Sequence, residues 1–339
     1  MKTIKWCVIG AGGIADRRAI PGLLLDARNE LVAVMDMRAE DAARVAEKYR
    51  VPAHFSDAEE MLKTVECDAV YIATPVFCHY EQAMLALRYG RHVFMEKPIT
   101  LTAAEGEKLV AAFEEKGLQL TIGYMMGYHN LHQKARSLVA EGGLGDLNLV
   151  RMQFSCWYPD IPGAWRQKKS MGGGGCVMDL AVHCMELYSA ITGEEIAEVK
   201  GYYATKTFNY EVDDSAVIAF RSESGVLGNI DVNFNVPDAC SIAKLELYGT
   251  DGCIYAENTL SQVEAGKMKY IYSPQGGYDA AQDHAEGKAK TFYGKGGNMY
   301  TKQFRAFGKL LLKGERNYEN AKRAVHIQTL CEALYGDVQ

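Results

Sequence analysis

No apolar stretch in this 339-residue chain approaches the ~18–20 residues a membrane-spanning helix needs, so an integral helical membrane protein is not expected. Basic charge is not in surplus either. The 37 Lys and Arg stand against 43 Asp and Glu, a net charge of −6, and no Lys/Arg cluster is interleaved with aromatics, which argues against a nucleic-acid partner. Cys-x-x-Cys spacing is absent. The nine cysteines (Cys7, Cys67, Cys78, Cys156, Cys176, Cys184, Cys240, Cys253 and Cys331) are odd in number and scattered, a pattern of reduced thiols in a cytoplasmic protein and not of a disulfide framework or a zinc site. There is no internal repeat, no low-complexity linker and no cleavable apolar segment behind a basic start. What is present is 48% hydrophobic and 24% charged residues, a folded globular composition whose length suits two domains of roughly 100–200 residues.

Ile4–Ile9 reads as a strand, followed without a gap by Gly10-Ala11-Gly12-Gly13-Ile14-Ala15 and a helix to about Leu25. This is a Gly-x-Gly-x-x-Ala dinucleotide fingerprint: Gly10 for the tight turn, Gly12 for close approach of a pyrophosphate, Ala15 for helix–strand packing, with phosphates on the helix N-terminus. A second strand, Glu30–Met35, ends in Asp36, where a carboxylate accepts hydrogen bonds from an adenosine ribose. Asp36 would repel a 2′-phosphate and so favours NAD, while Arg38 beyond Met37 keeps NADP as the second choice. Helices at Asp41–Tyr49, Asp57–Lys63, His79–Tyr89 and Thr102–Lys116 alternate with strands at Ala53–Phe55, Ala69–Ile72, Val93–Met95 and Gln119–Gly123. Six strands with helical crossovers predict a doubly wound parallel sheet of Rossmann type over residues 1–124.

Beyond residue 124 the pattern changes, and residues 125–339 read as an α+β domain with a large, mainly antiparallel open sheet. Strands are expected at Asn148–Trp157, Glu198–Phe208, Asp214–Arg221, Val226–Asn235, Lys244–Tyr248 and Cys253–Tyr255. In Ile230–Asn235 strict alternation puts the apolar residues on one face and Asp231, Asn233 and Asn235 on the other. Four glycines, Gly172–Gly175, lead into a helix from Val177 to Ile191. Residues 274 to 298 read as a mobile loop, and helices Tyr300–Leu312 and Asn317–Tyr335, able to pack back on the first domain, close the chain.

Two places carry candidate chemistry. Lys97 ends the strand Val93–Met95 inside Glu96-Lys97-Pro98, and in open α/β sheets the carboxyl ends of strands border the ligand crevice. Asp179 and His183, four residues apart, share a helix face; a His there serves as general acid/base and a carboxylate orients it or holds a hydroxyl. The glycine-rich lead-in is expected to let that helix approach a ligand closely. Metal sites from His183 with Glu186, or His129 with His132, lack a third ligand, so no metal is expected. His54 and His92 read as ordinary packed or surface residues. Tyr124, Tyr128, Trp157, Tyr158 and Trp165 offer faces for a sugar ring, and Arg166 with Lys168 and Lys169, the one candidate anion site, reads better as a solvated loop.

The combination of Gly10–Ala15, Asp68–Pro75 with His79, Gly90–Pro98, Trp165-Arg166, Gly172–His183 and Gly249–Gly252 resembles the glucose-fructose oxidoreductase/inositol dehydrogenase (Gfo/Idh/MocA) family over nearly the whole chain. The resemblance implies Lys97 and His183 as the catalytic pair and Asp179 as a binder of a substrate hydroxyl. It further implies a nicotinamide pocket of Thr74, Pro75, His79 and Glu96, with Trp165 and Arg166 facing cofactor and substrate. Many members carry an arginine after the strand ending at Gly123; here the sequence runs Tyr124-Met125-Met126-Gly127-Tyr128, so that contact is not carried over. The implied activity is oxidation of a secondary ring hydroxyl of a sugar, cyclitol or glycoside, with a 3-oxo-glycoside among the products. A redox-neutral NAD-dependent glycosidase and a dinucleotide-sensing regulator are the alternatives. A homo-oligomer, dimer or tetramer, through the second domain's sheet is expected on the same basis.

Overall fold

A computed structural model describes residues 3–274, 277–278, 280 and 287–336. The chain forms two compact units. The first comprises the residues up to Met125 with Lys168–Gly173 and Asn298–Thr329; the second comprises Met126–Gln167, Gly174–Gly297 and the residues from Leu330 on.

The first unit is built on six parallel strands, β1 (Ile4–Ile9), β2 (Asn29–Met35), β3 (Ala53–Phe55), β4 (Ala69–Ile72), β5 (His92–Met95) and β6 (Leu120–Ile122), in the order β3-β2-β1-β4-β5-β6. Strand β4 is buried at every position and β5 at all but its first, as strands covered on both faces must be. Two of the crossover helices start where a side chain supplies the missing acceptor: Asp57 takes the Glu60 N–H at 2.7 Å and Thr102 the Glu105 N–H at 3.2 Å. Helix Met299–Lys313 lies on the sheet through Phe304 and Phe307, whose rings stand 4.8–5.6 Å from those of Trp6, Tyr71 and Phe94. Burying each of these two phenylalanines contributes roughly 1.5–3 kcal/mol. Strand order reverses between β1 and β4, and the glycine turn after β1 sits at that switch point, where such sheets bind ligands.

The second unit carries eight strands in the order β14-β13-β12-β11-β7-β10-β9-β8, from β7 (Leu147–Ser155), β8 (Ile196–Ala204), β9 (Ser215–Ser222) and β10 (Leu227–Asn233) to β11 (Lys244–Gly249), β12 (Gly252–Glu257), β13 (Lys267–Tyr272) and β14 (Lys288–Tyr293). All pairings are antiparallel except β7 with β10. Ile230 and Val232 are buried while Asp231 and Asn233 are half-buried, so the alternation expected for this strand holds.

Four local expectations need correction, the first being that strand Lys267–Tyr272 was not expected. Lys288–Tyr293 is a strand inside the stretch read as a loop, of which residues 275–276, 279 and 281–286 lie outside the described residues. It is an exposed, lysine-bearing edge strand with no buried face, so its sequence carries no apolar alternation. Helix Asn130–Ala140 was not expected; its cap is the imidazole of His129, which accepts the Leu131 N–H at 3.1 Å in place of a usual Ser, Thr, Asp or Asn. The helix bearing Asp179 opens with a π-helical turn, Val177–Ala181, before α-helix Val182–Thr192; such turns are frequent at functional sites.

Candidate active site

In the first unit the glycines have distinct tasks. Gly10 has φ +92°, and a Cβ there would stand 2.8 Å from the carbonyl carbon and oxygen of Ala73, so the β1 turn is closed tightly over the end of β4. At Gly12 and Gly13 a Cβ would meet nothing within 4 Å. Open space beside backbone N–H groups at the start of a helix fits a dinucleotide pyrophosphate. Asp36 stands beside this turn: one carboxylate oxygen accepts the Ala11 N–H at 3.0 Å and the other the Arg38 N–H at 3.0 Å. A carboxylate offers about four lone-pair sites, so capacity for ribose hydroxyls remains. Met37 is 85% exposed, and the Arg38 guanidinium pairs with Asp41 at 2.5 Å. Ile14 and Ala15 begin the helix, Ala15 being buried.

At the end of β5, Glu96 accepts the hydroxyl of buried Tyr71 at 2.6 Å, and Lys97 and Glu96 are both half-buried. Thr74 donates its hydroxyl to Gln82 at 2.5 Å, and Pro75 precedes the short helical turn Val76–Cys78. The His79 ring is wholly buried, with Nδ1 2.8 Å from the Pro98 carbonyl oxygen and Nε2 3.0 Å from that of Thr74. Burial, against the pull of the carbonyls, lowers its pKa to about 4, so the neutral ring donates to one of the two. Both nitrogens are turned to backbone, and His79 ties the end of β4 to Pro98, beside Lys97. Tyr124 is buried, 2% exposed.

In the second unit, Arg166 donates from Nε to Asp179 Oδ1 at 3.3 Å and lies over the Trp165 ring, 4.3 Å from its centroid. Burial works against the Arg166 charge, yet Asp179 and Tyr158 outweigh it and raise its pKa. His183, 5% exposed, sits 6.4 Å from the Phe154 ring, centroid to centroid. Burial and then the Glu186 carboxylate push the Tyr128 hydroxyl up to about 12, leaving it a neutral donor. Trp157 is 45% exposed and meets Phe208 edge-on at 5.2 Å. Lys168 and Lys169, in the first unit, are exposed.

The paired histidines are structural. His129 Nε2 lies 3.1 Å from the Ala265 carbonyl oxygen and His132 Nδ1 2.8 Å from that of Met126. His92 accepts the Gln119 N–H at 2.9 Å, and His54 is exposed. Among the described residues no three His, Cys, Asp or Glu are grouped to hold a metal.

The glycine lead-in to Asp179 also departs from expectation. A Cβ at Gly174 would stand 2.1 Å from the Tyr335 hydroxyl, and one at Gly175 1.8 Å from the Asp213 carbonyl oxygen. These two glycines admit the chain's own residues and not a ligand. Nothing in the local sequence marks Asp213 or Tyr335 as partners of this loop.

Residues 4–124 match the description "Oxidoreductase family, NAD-binding Rossmann fold", and residues 132–255 match "GFO/IDH/MocA C-terminal domain". The chain belongs to the GFO/IDH/MocA oxidoreductase family. It is 28% identical to a 1,5-anhydro-D-fructose reductase of Ensifer adhaerens over 78% of this chain and 79% of that one. Identity to a dTDP-3,4-didehydro-2,6-dideoxy-alpha-D-glucose 3-reductase of Actinomadura kijaniata is 26%, over 98% and 94% of the two chains. The fold is similar to the crystal structure of an aldose-aldose oxidoreductase from Caulobacter crescentus in complex with glycerol, with TM-score 0.86 and 22% identity over 98% of this chain and 97% of that chain. Membership makes this GFO/IDH/MocA chain an oxidoreductase with an NAD-binding Rossmann domain. No described helix is long and apolar enough to cross a membrane.

Proposed function

We propose that this chain is an NAD(P)-dependent dehydrogenase acting on a secondary ring hydroxyl of a sugar, cyclitol or glycoside. The observation that carries the reading is the open Gly12–Gly13 cradle beside Asp36 in the first unit; the second unit's helix holding Asp179 and His183 supplies residues of the acid/base type. Relatives named for reduction of sugar ketones support the same substrate class. Gly10–Ala15 and Asp36 hold the dinucleotide, with Thr74, Pro75 and Glu96 toward its nicotinamide. When bound, the nicotinamide supplies the hydride acceptor. Of Lys97 and His183, one takes the hydroxyl proton and the other stabilises the developing oxyanion, and Asp179 accepts from a neighbouring hydroxyl. Arg166 is already compensated by Asp179, which favours an uncharged ring over an acidic sugar.

The test is a screen of free sugars, inositols and glycosides with NAD and NADP, read as net formation of reduced nicotinamide. Lys97→Ala should lower kcat by about 10²–10⁴ with NADH affinity little changed. Aglycone release without net reduction would overturn the dehydrogenase reading, and a near-normal Lys97→Ala rate would remove that residue's role.

A further inference from the structure

We propose that Asp213 is a positioning residue for catalysis, a buried carboxylate that fixes the lead-in of the helix bearing Asp179 and His183. The inference rests on the catalytic assignment of those two residues above. Asp213 is 4% exposed and offers nothing to a ligand. One carboxylate oxygen accepts the Gly175 N–H at 2.9 Å and the Tyr335 hydroxyl at 2.6 Å. The other accepts the Val177 N–H at 2.9 Å and the Cys176 thiol at 3.2 Å. The Asp213 backbone carbonyl takes the Cys176 N–H at 2.9 Å, so three successive residues are pinned by one.

Burial first, and the Asp213 charge second, push the Tyr335 hydroxyl and the Cys176 thiol well above their ordinary ranges, which keeps both protonated as donors. Tyr335 is itself braced: its ring meets Tyr203 edge-on at 4.8 Å, and its carbonyl accepts the Tyr203 hydroxyl at 3.3 Å. The lead-in has no slack, because Gly174 and Gly175 already lie too close to Tyr335 and Asp213 for any side chain. The link to the chemistry is one hydrogen bond long. The carbonyl of Gly175 accepts the Asp179 N–H at 3.0 Å, and the π-helical turn that follows carries the chain on to His183. A carboxylate held by several donors is geometrically rigid, whereas an amide in its place must turn an NH2 group toward at least one donor. A displacement of about 1 Å at an acid/base group costs on the order of 10²-fold in rate.

The experiment uses the full chain with Asp213→Asn and Tyr335→Phe, with methyl β-D-glucopyranoside and myo-inositol as probes in the presence of NAD. Amide hydrogen exchange over 175–183 is expected to rise about tenfold in Asp213→Asn with β8–β10 unchanged, while kcat falls about 10–100-fold and NADH affinity stays within about twofold. Tyr335→Phe should move both readouts the same way by a smaller factor, since it removes one donor of four. Unchanged exchange at 175–183, exchange raised equally across the sheet, or altered exchange with normal kcat would each overturn the inference. A His183→Ala control separates the two failures: if that variant turns over normally, the catalytic assignment falls, and if it is dead while Asp213→Asn is normal, only the role of Asp213 falls.

Discussion

Replacing Gly12 with alanine should leave the fold intact and remove most of the cofactor affinity. Gly12 is absent from the glycines with positive φ, and an added Cβ would meet no atom within 4 Å, so the methyl strains nothing in the protein. Folding stability should stay within about 0.5 kcal/mol, or rise by about 0.4–1 kcal/mol as the unfolded chain loses freedom. The same open space is where a pyrophosphate must approach the backbone. A methyl there holds it back from one or two charge-assisted hydrogen bonds of about 1.5–3 kcal/mol each, a loss of roughly 10-fold to 10⁴-fold in affinity. Gly10→Ala is the counter-case: its φ of +92° and the 2.8 Å approach to Ala73 put the cost into folding. Left-handed strain of about 1–2 kcal/mol and crowding of about 1–3 kcal/mol should together lower its urea midpoint. Urea titration and NADH fluorescence titration on both variants separate the two. A Gly12→Ala protein that binds NADH within twofold of wild type, or is destabilised as much as Gly10→Ala, would refute the reasoning.

Asp36→Ala should lower the ratio of kcat/KM for NAD over NADP by about tenfold, since a charged acceptor for ribose is lost and a 2′-phosphate is no longer repelled; an unchanged ratio counts against it. Stability should fall as pH drops from 6.5 to about 4. Burial holds His79 near 4 and His132 near 3 against an ordinary 6.5, so the unfolded chain binds protons first; His79 alone accounts for about 3 kcal/mol, fully lost at the lower end. Asp16, kept at about 2 despite burial by hydrogen bonds from Lys48 and Arg44, stays ionised throughout that window, and a urea midpoint flat between pH 7 and 5 would contradict the prediction. A glucoside should be preferred to the matching glucuronide in kcat/KM, and a preference for the acid that Arg166→Ala abolishes would reverse the neutral-ring assignment.

Much of the first unit was legible because its signals are local. Apolar runs of four to six residues, a glycine fingerprint and an acid at the end of β2 lie within single βα units. In β10 the alternation around Asp231 named the buried face directly. Helix Asn130–Ala140 and strands β13 and β14 escaped notice because their supports are not in their own pattern: the helix is capped by an imidazole, and the strands are held by pairing with β12 and with each other. At the candidate site, Lys97 and His183 stood out by residue type and place, whereas the turning of His79 toward two backbone carbonyls required knowing what surrounds it.

By itself the sequence determined a six-stranded dinucleotide-binding sheet, a second unit dominated by strands, and the residue types on which acid/base chemistry depends, because periodicity and turn chemistry are properties of neighbours along the chain. Only the tertiary structure decided which glycines face open space and which face the protein. Gly12 and Gly175 look alike in a sequence, but one has nothing within 4 Å of its Cβ position and the other has the Asp213 carbonyl oxygen at 1.8 Å. That difference arises from a residue 38 positions away and from Tyr335 near the end of the chain, contacts that no local pattern encodes because they form only when the sheet and the closing helix have packed.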